Sequence, residues 1–380
     1  MTLTMLEKLA GLSERNLSLI EKAKEEGKKV AGLYCLYSPV ELVLAAGAIP
    51  LPLCGTRNEP IADAEKVLPR NLCPLIKSSF GFAATDTCPF FHFSDLLIGE
   101  TTCDGKKKMY ELIKEYKPIH LLQLPQNQDE ETALPYWYEQ IRKLKERLEE
   151  DFKVEITDER LSEAIRVMNR ERMALKELMD GAKQKPSPVS GMEMLTIKFR
   201  LGFFADKEEG LLLIREATRE IQERAMRGES PFTERTPRIL LTGTPVGLGS
   251  DKVIKIIEEC GANVVCMENC SGYKKLFTIN ENGNPFWAIA EQYLKVPCSC
   301  MSPNTGRLEL LDHLIKEFQV DGVVDLTWQA CHTYNIESYV VKELIEEEHG
   351  LPFLQIETDY SESDTERLRI RIEAFLEMMQ

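Results

Sequence analysis

Short apolar runs, each followed by an amphipathic stretch, recur in two blocks of this 380-residue chain, and that alternation restricts it to parallel α/β architecture. The first block contains Lys29–Cys35 (KVAGLYC), Ile49–Cys54 (IPLPLC), Asp95–Thr102 (DLLIGETT) and Ile119–Leu124 (IHLLQL). The second contains RILLTG from Arg238, then ANVVCMEN, VDGVVDLT and LPFLQIETD. An amphipathic helix over residues 5 to 27 precedes the first block, and long charged helices such as LSEAIRVMNRERMALKELM separate the blocks. The expected fold is two doubly wound, flavodoxin- or Rossmann-like domains facing each other across a cleft. Residues 1–135 and 237–380 form these domains, and residues 136–236 form a helical connector.

Six of the eleven cysteines fall where an expected strand gives way to a turn or a helix start: Cys35, Cys73, Cys103, Cys270, Cys300 and Cys331. Ligands of open α/β sheets bind at the carboxyl ends of the strands, so thiols placed there converge although they are distant in sequence. A disulfide scaffold is not expected, because the chain is long enough to bury a full core and MTLTMLEKLAGLSERN has no apolar signal region. Reduced thiols in the cytoplasm follow. Zinc sites carry paired C-x₂-C ligands, which are absent here; Cys298-Ser299-Cys300 is the closest pair. Single thiolates spread over several loops suit an iron–sulfur cluster. At Cys73, followed by Pro74, a helix start places amide groups and the helix dipole where they favour a thiolate.

A net charge of −15 argues against nucleic acid as a partner, and no apolar run approaches the roughly 18 residues of a membrane span.

The segments YCLYSPVELVLAAGAIPLPLCG, NLCPLIKS, TTCDGKKKMYE, VVCMENCSG and DGVV followed by QACHTYNIES resemble the 2-hydroxyacyl-CoA dehydratase (benzoyl-CoA reductase-like) superfamily, and within it the double-cubane cluster proteins. The resemblance runs from about Lys29 to the C-terminus. It implies a [4Fe–4S] cubane on Cys73, Cys103 and Cys331, as in the dehydratases. The additional thiols depart from the dehydratase pattern and suit the double-cubane relatives, whose [8Fe–9S] unit needs six cysteines. Strand-end geometry selects Cys35, Cys270 and Cys300 for the second set, with Cys54 and Cys298 as competitors. Cys88, Cys260 and Cys266 read as structural.

The resemblance further implies a homodimeric oxidoreductase that receives low-potential electrons from an ATP-hydrolysing [4Fe–4S] activator and reduces a small unsaturated or nitrogenous molecule. The alternatives are a dehydratase subunit with one cubane and a non-catalytic electron carrier or cluster storage protein. His332 beside Cys331 is a candidate proton donor. Ser38 and Glu41 lie near the substrate region of related dehydratases, although helix capping also accounts for Ser38. The run Lys106, Lys107, Lys108 is either a positive field for an anionic cluster or a solvated face. The loop Gly243–Ser250 is placed to receive an anion but lacks the GK[ST] of a P-loop, so ATP belongs to the partner.

Overall fold

A computed structural model describes residues 5–53 and 55–379; Cys54 lies outside the described residues. Two four-stranded, wholly parallel sheets organise the chain. In the first, β1 (Val30–Leu33), β2 (Ile49–Pro52), β3 (Leu96–Glu100) and β4 (Ile119–Leu122) are ordered β2-β1-β3-β4. In the second, β5 (Arg238–Gly243), β6 (Asn263–Met267), β7 (Gly322–Trp328) and β8 (Phe353–Thr358) are ordered β6-β5-β7-β8. The α/β class and both parallel sheets agree with the expectation. Every residue of β1, β3, β5, β6 and β7 is buried, as required of strands covered by helices on both faces.

Each sheet reverses its winding direction once, between β1 and β3 and between β5 and β7. The loops leaving these strands diverge there and open a crevice. Cys35 follows β1, Cys103 follows β3 and Cys331 follows β7, so three thiols sit at the reversal points.

Four long helices, Ala133–Phe152, Asp158–Asp180, Gly191–Gly202 and Lys207–Met226, lie between the sheets in sequence. Helix Asp158–Asp180 packs on helix Val40–Ala45, and its buried Arg172 pairs with Glu41 at 2.7 Å. Helix Pro285–Leu294 follows β6, yet it packs against Ala133–Phe152 and Asp158–Asp180. Tyr293 on that helix accepts from the Val40 amide at 3.1 Å and donates to Glu41 at 2.8 Å, while Tyr37 donates to the Val296 carbonyl at 2.6 Å. A second tie joins the sheets elsewhere: Tyr360 donates to the Gly55 carbonyl at 2.8 Å, and Thr56 to that of Leu248 at 3.2 Å.

Local differences from the sequence reading have local causes. The first helix is divided at Gly11 into Met5–Ala10 and Leu12–Glu25, because a residue without Cβ weakens a helix interior. The helix after β7 starts at His332, several residues before the apolar stretch SYVV that marks it in the sequence, because its first turn is polar. Among the described residues, no helix is long and apolar enough to cross a membrane.

Candidate metal centre

Cys73, Cys103 and Cys331 share one local position, the N-cap of a helix: Pro74–Thr85, Asp104–Ile113 and His332–Glu343 respectively. Pro74 starts the first of these with its preset φ. At the third, Ala330 takes a left-handed φ of 59°, unusual outside glycine, and the Cys331 amide closes a turn onto the Trp328 carbonyl at 2.9 Å. The first amides of any helix lack intrahelical acceptors. Here the amides of Leu75 and Ile76 face the Cys73 sulfur, that of Lys106 faces Cys103 and that of Tyr334 faces Cys331. They favour the thiolates without closing a full capping hydrogen bond. Burial opposes them and wins: the Cys73 thiol is pushed up to about 11, and Cys103 and Cys331 are also raised. Cys73 and Cys103 raise Cys331 further, which places the three in one another's fields.

A second group of thiols adjoins the first. Cys270 sits in the loop after β6, where Asn269 donates to the Thr244 carbonyl at 3.1 Å. A Cβ at Gly272 would stand 1.6 Å from the Met267 carbonyl oxygen, so only glycine closes this turn. Cys298 and Cys300 follow helix Pro285–Leu294. The hydroxyls of Ser299 and Thr333 bond at 2.9 Å, tying this segment to the Cys331 loop. The Ser302 amide donates to the Gln126 carbonyl at 2.8 Å, and the Gln126 side chain donates to the Thr101 carbonyl at 3.3 Å, tying it to the Cys103 loop. Cys35 joins through Lys106, whose ammonium donates to the Tyr34 carbonyl at 3.3 Å.

Burial raises the Cys35 thiol well above its usual range, helped by Glu100, Cys270 and Cys298 and opposed by Lys106. Cys298 goes the other way, to about 6: Cys300 donates a hydrogen bond to its sulfur, burial opposes, and the Lys274 and Lys106 ammonium groups favour the thiolate. Cys300, the donor of that bond, is raised. It is buried in the apolar cluster with Tyr37 and Trp137. Cys298 also acts on Cys103, so the two groups of thiols share a boundary.

Buried charge surrounds the second group. Glu100, at the end of β3, pairs with Lys106, and both are buried. Glu268, just past β6, pairs with Lys274 at 3.0 Å and accepts from Thr242 at 2.7 Å. Burial raises the Glu268 carboxyl, but Lys274 and Arg307 outweigh it and hold the group below its ordinary value. Arg307 continues the chain of charge to the largely buried Glu337. Lys274 donates to the Tyr334 phenol oxygen at 2.9 Å. None of Glu100, Glu268, Lys274, Arg307 or Tyr334 was singled out in the sequence. The available signal was a carboxylate ending each of two apolar strands, DLLIGE and NVVCME.

The other candidate residues are placed as follows. His332 is exposed at the first position of its helix. Ser38 is buried but caps nothing, because Pro39 holds the N-cap; its hydroxyl faces Glu100 at 3.5 Å, beside Cys35. Glu41 is fully buried, with its carboxylate engaged by Arg172 and Tyr293 at the joint with the long helices. The lysine run divides: Lys106 turns inward, whereas Lys107 and Lys108 are exposed and pair with Asp104 and Glu111. Cys88 caps the short helix Pro89–Phe93, Cys266 lies inside β6 and Cys260 ends helix Lys252–Glu259. The amides of the Gly243–Ser250 loop are engaged, that of Val246 by the Ser271 hydroxyl of the Cys270 loop at 3.2 Å and that of Gly247 by the Ser250 hydroxyl at 3.0 Å. Among the described residues, no three His, Cys, Asp or Glu side chains stand close enough to hold a single metal ion.

Residues 35–379 match the family model of the 2-hydroxyglutaryl-CoA dehydratase D-component. YjiM of Escherichia coli (strain K12), provisionally named a dehydratase subunit, is 44% identical over 94% of this chain and 93% of its own length. The (R)-phenyllactyl-CoA dehydratase beta subunit of Clostridium sporogenes is 26% identical over 95% of this chain and 94% of its own. A benzoyl-CoA reductase subunit of Thauera aromatica is 25% identical over 96% of this chain and 92% of its own.

Proposed function

Because the chain belongs to the 2-hydroxyglutaryl-CoA dehydratase D-component family, we propose that its converging thiols hold an iron–sulfur cofactor of double-cubane type and that the protein is a low-potential reductase. Its first ligand set is Cys73, Cys103 and Cys331. Its second is Cys35, Cys270 and Cys298, with Cys298 in place of the Cys300 expected from strand ends. The carrying observation is that hydrogen bonds tie the Cys298 segment to the Cys331 and Cys103 loops, the Cys35 loop to Lys106 and the Cys270 loop, through Lys274, to Tyr334, while Cys73 lies in the field of Cys331.

The donor set fits such a group. Thiolate is the soft ligand that iron–sulfur clusters require, and a cluster is larger than one ion, so its ligands stand apart. Two buried ammonium groups, Lys106 and Lys274, favour anionic sulfur at Cys298, whereas Cys300 donates its proton to Cys298 and is packed in an apolar cluster. When bound, the cofactor supplies one-electron chemistry at low potential. The chain's own residues then do three things. Helix amides and buried lysines stabilise the thiolates, the buried Glu100–Lys106 and Glu268–Lys274 pairs keep local charge fixed, and the ties between loops limit water.

Electrons enter from an ATP-hydrolysing partner protein, since the chain lacks a P-loop of its own, and leave to a small molecule. A homodimer in the cytoplasm completes the proposal. Exposed His332 is placed to exchange protons at the Cys331 helix start, and Ser38 is placed beside Cys35; Glu41 serves the joint instead. Relatives named as dehydratases favour a second reading, a lyase subunit with one cubane. Anaerobic iron and sulfide analysis separates the two readings: about eight irons per chain for the first and about four for the second.

A further inference from the structure

Two residues reach from the first thiol group to the loops that carry the second. Lys106 and Tyr334 each stand three positions after an N-cap cysteine, Cys103 and Cys331. At that position in a helix the amide faces the N-cap side chain, and the Cα–Cβ bond tilts toward the helix N-terminus. Amide and side chain therefore reach the same way, into the cleft. The Lys106 amide faces Cys103, while its ammonium group donates to the carbonyl preceding Cys35. The Tyr334 amide faces Cys331, while its phenol oxygen accepts at 2.9 Å from Lys274, four residues after Cys270 in the same loop, and lies in the field of Cys270 and Cys298. The other two N-cap cysteines, Cys73 and Cys88, have apolar Ile76 and Phe91 at the equivalent place, so the device is carried by the Cys103 and Cys331 helices alone among the described residues.

Both side chains are held. Lys106 is buried against Glu100. The ring of Tyr334 has Lys274 at 5.1 Å and Arg307 at 4.9 Å from its centroid. Lys274 donates to the phenol oxygen at 2.9 Å, so the phenol's own proton is left for an acceptor on another side.

We propose that Lys106 and Tyr334 are paired positioning residues that lock the two thiol groups together, each with its amide on one group and its side chain on the other. This rests on the reading of the thiols as ligands given above. A fixed donor and a fixed cation beside cluster sulfur raise its reduction potential. Tyr334→Phe removes one oxygen and keeps the ring; Lys106→Gln removes the charge, and Lys106→Arg keeps it.

The test is potentiometric titration of the anaerobically reconstituted protein, followed by electron paramagnetic resonance, with iron content measured alongside. The expected result is wild-type iron in Tyr334→Phe and Lys106→Gln with a more negative midpoint in both, and a return toward wild type in Lys106→Arg. A folded Tyr334→Phe protein with the wild-type midpoint overturns the proposal and leaves the function standing. A folded Tyr334→Phe protein that has lost iron also overturns it, in favour of direct ligation by the phenol. Wild-type protein that takes up no iron overturns both readings. If Lys106→Gln does not fold, Tyr334→Phe decides alone.

Discussion

The two thiol groups are built by different physics. Cys73, Cys103 and Cys331 are served by backbone, the free amides at three helix starts. Cys35, Cys270 and Cys298 sit on loops without such helix starts, among the buried side chains of Glu100, Lys106, Glu268 and Lys274. Backbone amides do not titrate and survive any substitution except proline, whereas a buried ion pair fails when either partner is lost. The first group should therefore tolerate change around it, and the second should not.

The largest effect expected from that contrast is at Lys274. It and Glu268 are fully buried and 3.0 Å apart. Lys274→Ala leaves the carboxylate with only Arg307 at 3.7 Å and the Thr242 hydroxyl, and breaking a buried pair from one side costs about 3–5 kcal/mol, with Arg307 keeping the loss toward the lower end. Urea unfolding of the apo-protein measures it. Lys274→Ala combined with Glu268→Gln should recover much of the loss, and equal stability of the single and double variants would break the contrast.

Thiol reactivity in the apo-protein sharpens the contrast next. Cys298 is lowered to about 6 and Cys73 raised to about 11, and both ionise by losing a proton as pH rises. The alkylation rate of Cys298 should level off just above pH 6, while that of Cys73 should still climb toward pH 11. At pH 7 the thiolate fractions favour Cys298 by about 10⁴, and the lower nucleophilicity of the more acidic thiol reduces this to roughly 10². Iodoacetamide labelling at several pH values, read by mass spectrometry, gives both curves. Parallel curves would mean that the Cys300 hydrogen bond and the buried lysines do not distinguish the groups.

The same contrast explains what was legible in the sequence. Periodicity marks strands and helix starts, so both sheets and the N-cap position of Cys73 could be read directly. Cys103 and Cys331 followed from strand ends. The second group was less legible, because its surroundings are set by contacts between distant segments. Cys300 ends the run Pro297-Cys298-Ser299-Cys300 as plausibly as Cys298 does, and only the bonds of Ser299 to Thr333 and Ser302 to Gln126 orient that segment. Nothing in KKK distinguishes Lys106 from its neighbours until Glu100 and Tyr34 are placed beside it. Ser38 has the residue type of a cap, yet the helix begins one residue later than capping requires.

Iron content gives a smaller, twofold test. Cys298→Ser should lose about half the iron and keep one cubane, while Cys300→Ser should keep nearly all, since the Cys300 thiol serves as a hydrogen-bond donor to the Cys298 sulfur, a role that a serine hydroxyl can take over. The reverse pattern would restore Cys300 to the second set.

The smallest effect is expected at Lys107→Gln. Lys107 is 47% exposed and pairs with Asp104 at 3.0 Å on the outer face of the helix that Cys103 starts. Exposed pairs of this kind contribute little, so stability should change by no more than about 0.5 kcal/mol. Because the helix amides that face Cys103 are untouched, iron content and midpoint should match wild type, although the lost charge is one residue from that of Lys106. A midpoint shift in Lys107→Gln as large as that in Lys106→Gln would show that the field of the whole lysine run acts on the site. It would then be net charge, and not the burial of one lysine between the two groups, that sets the second group apart.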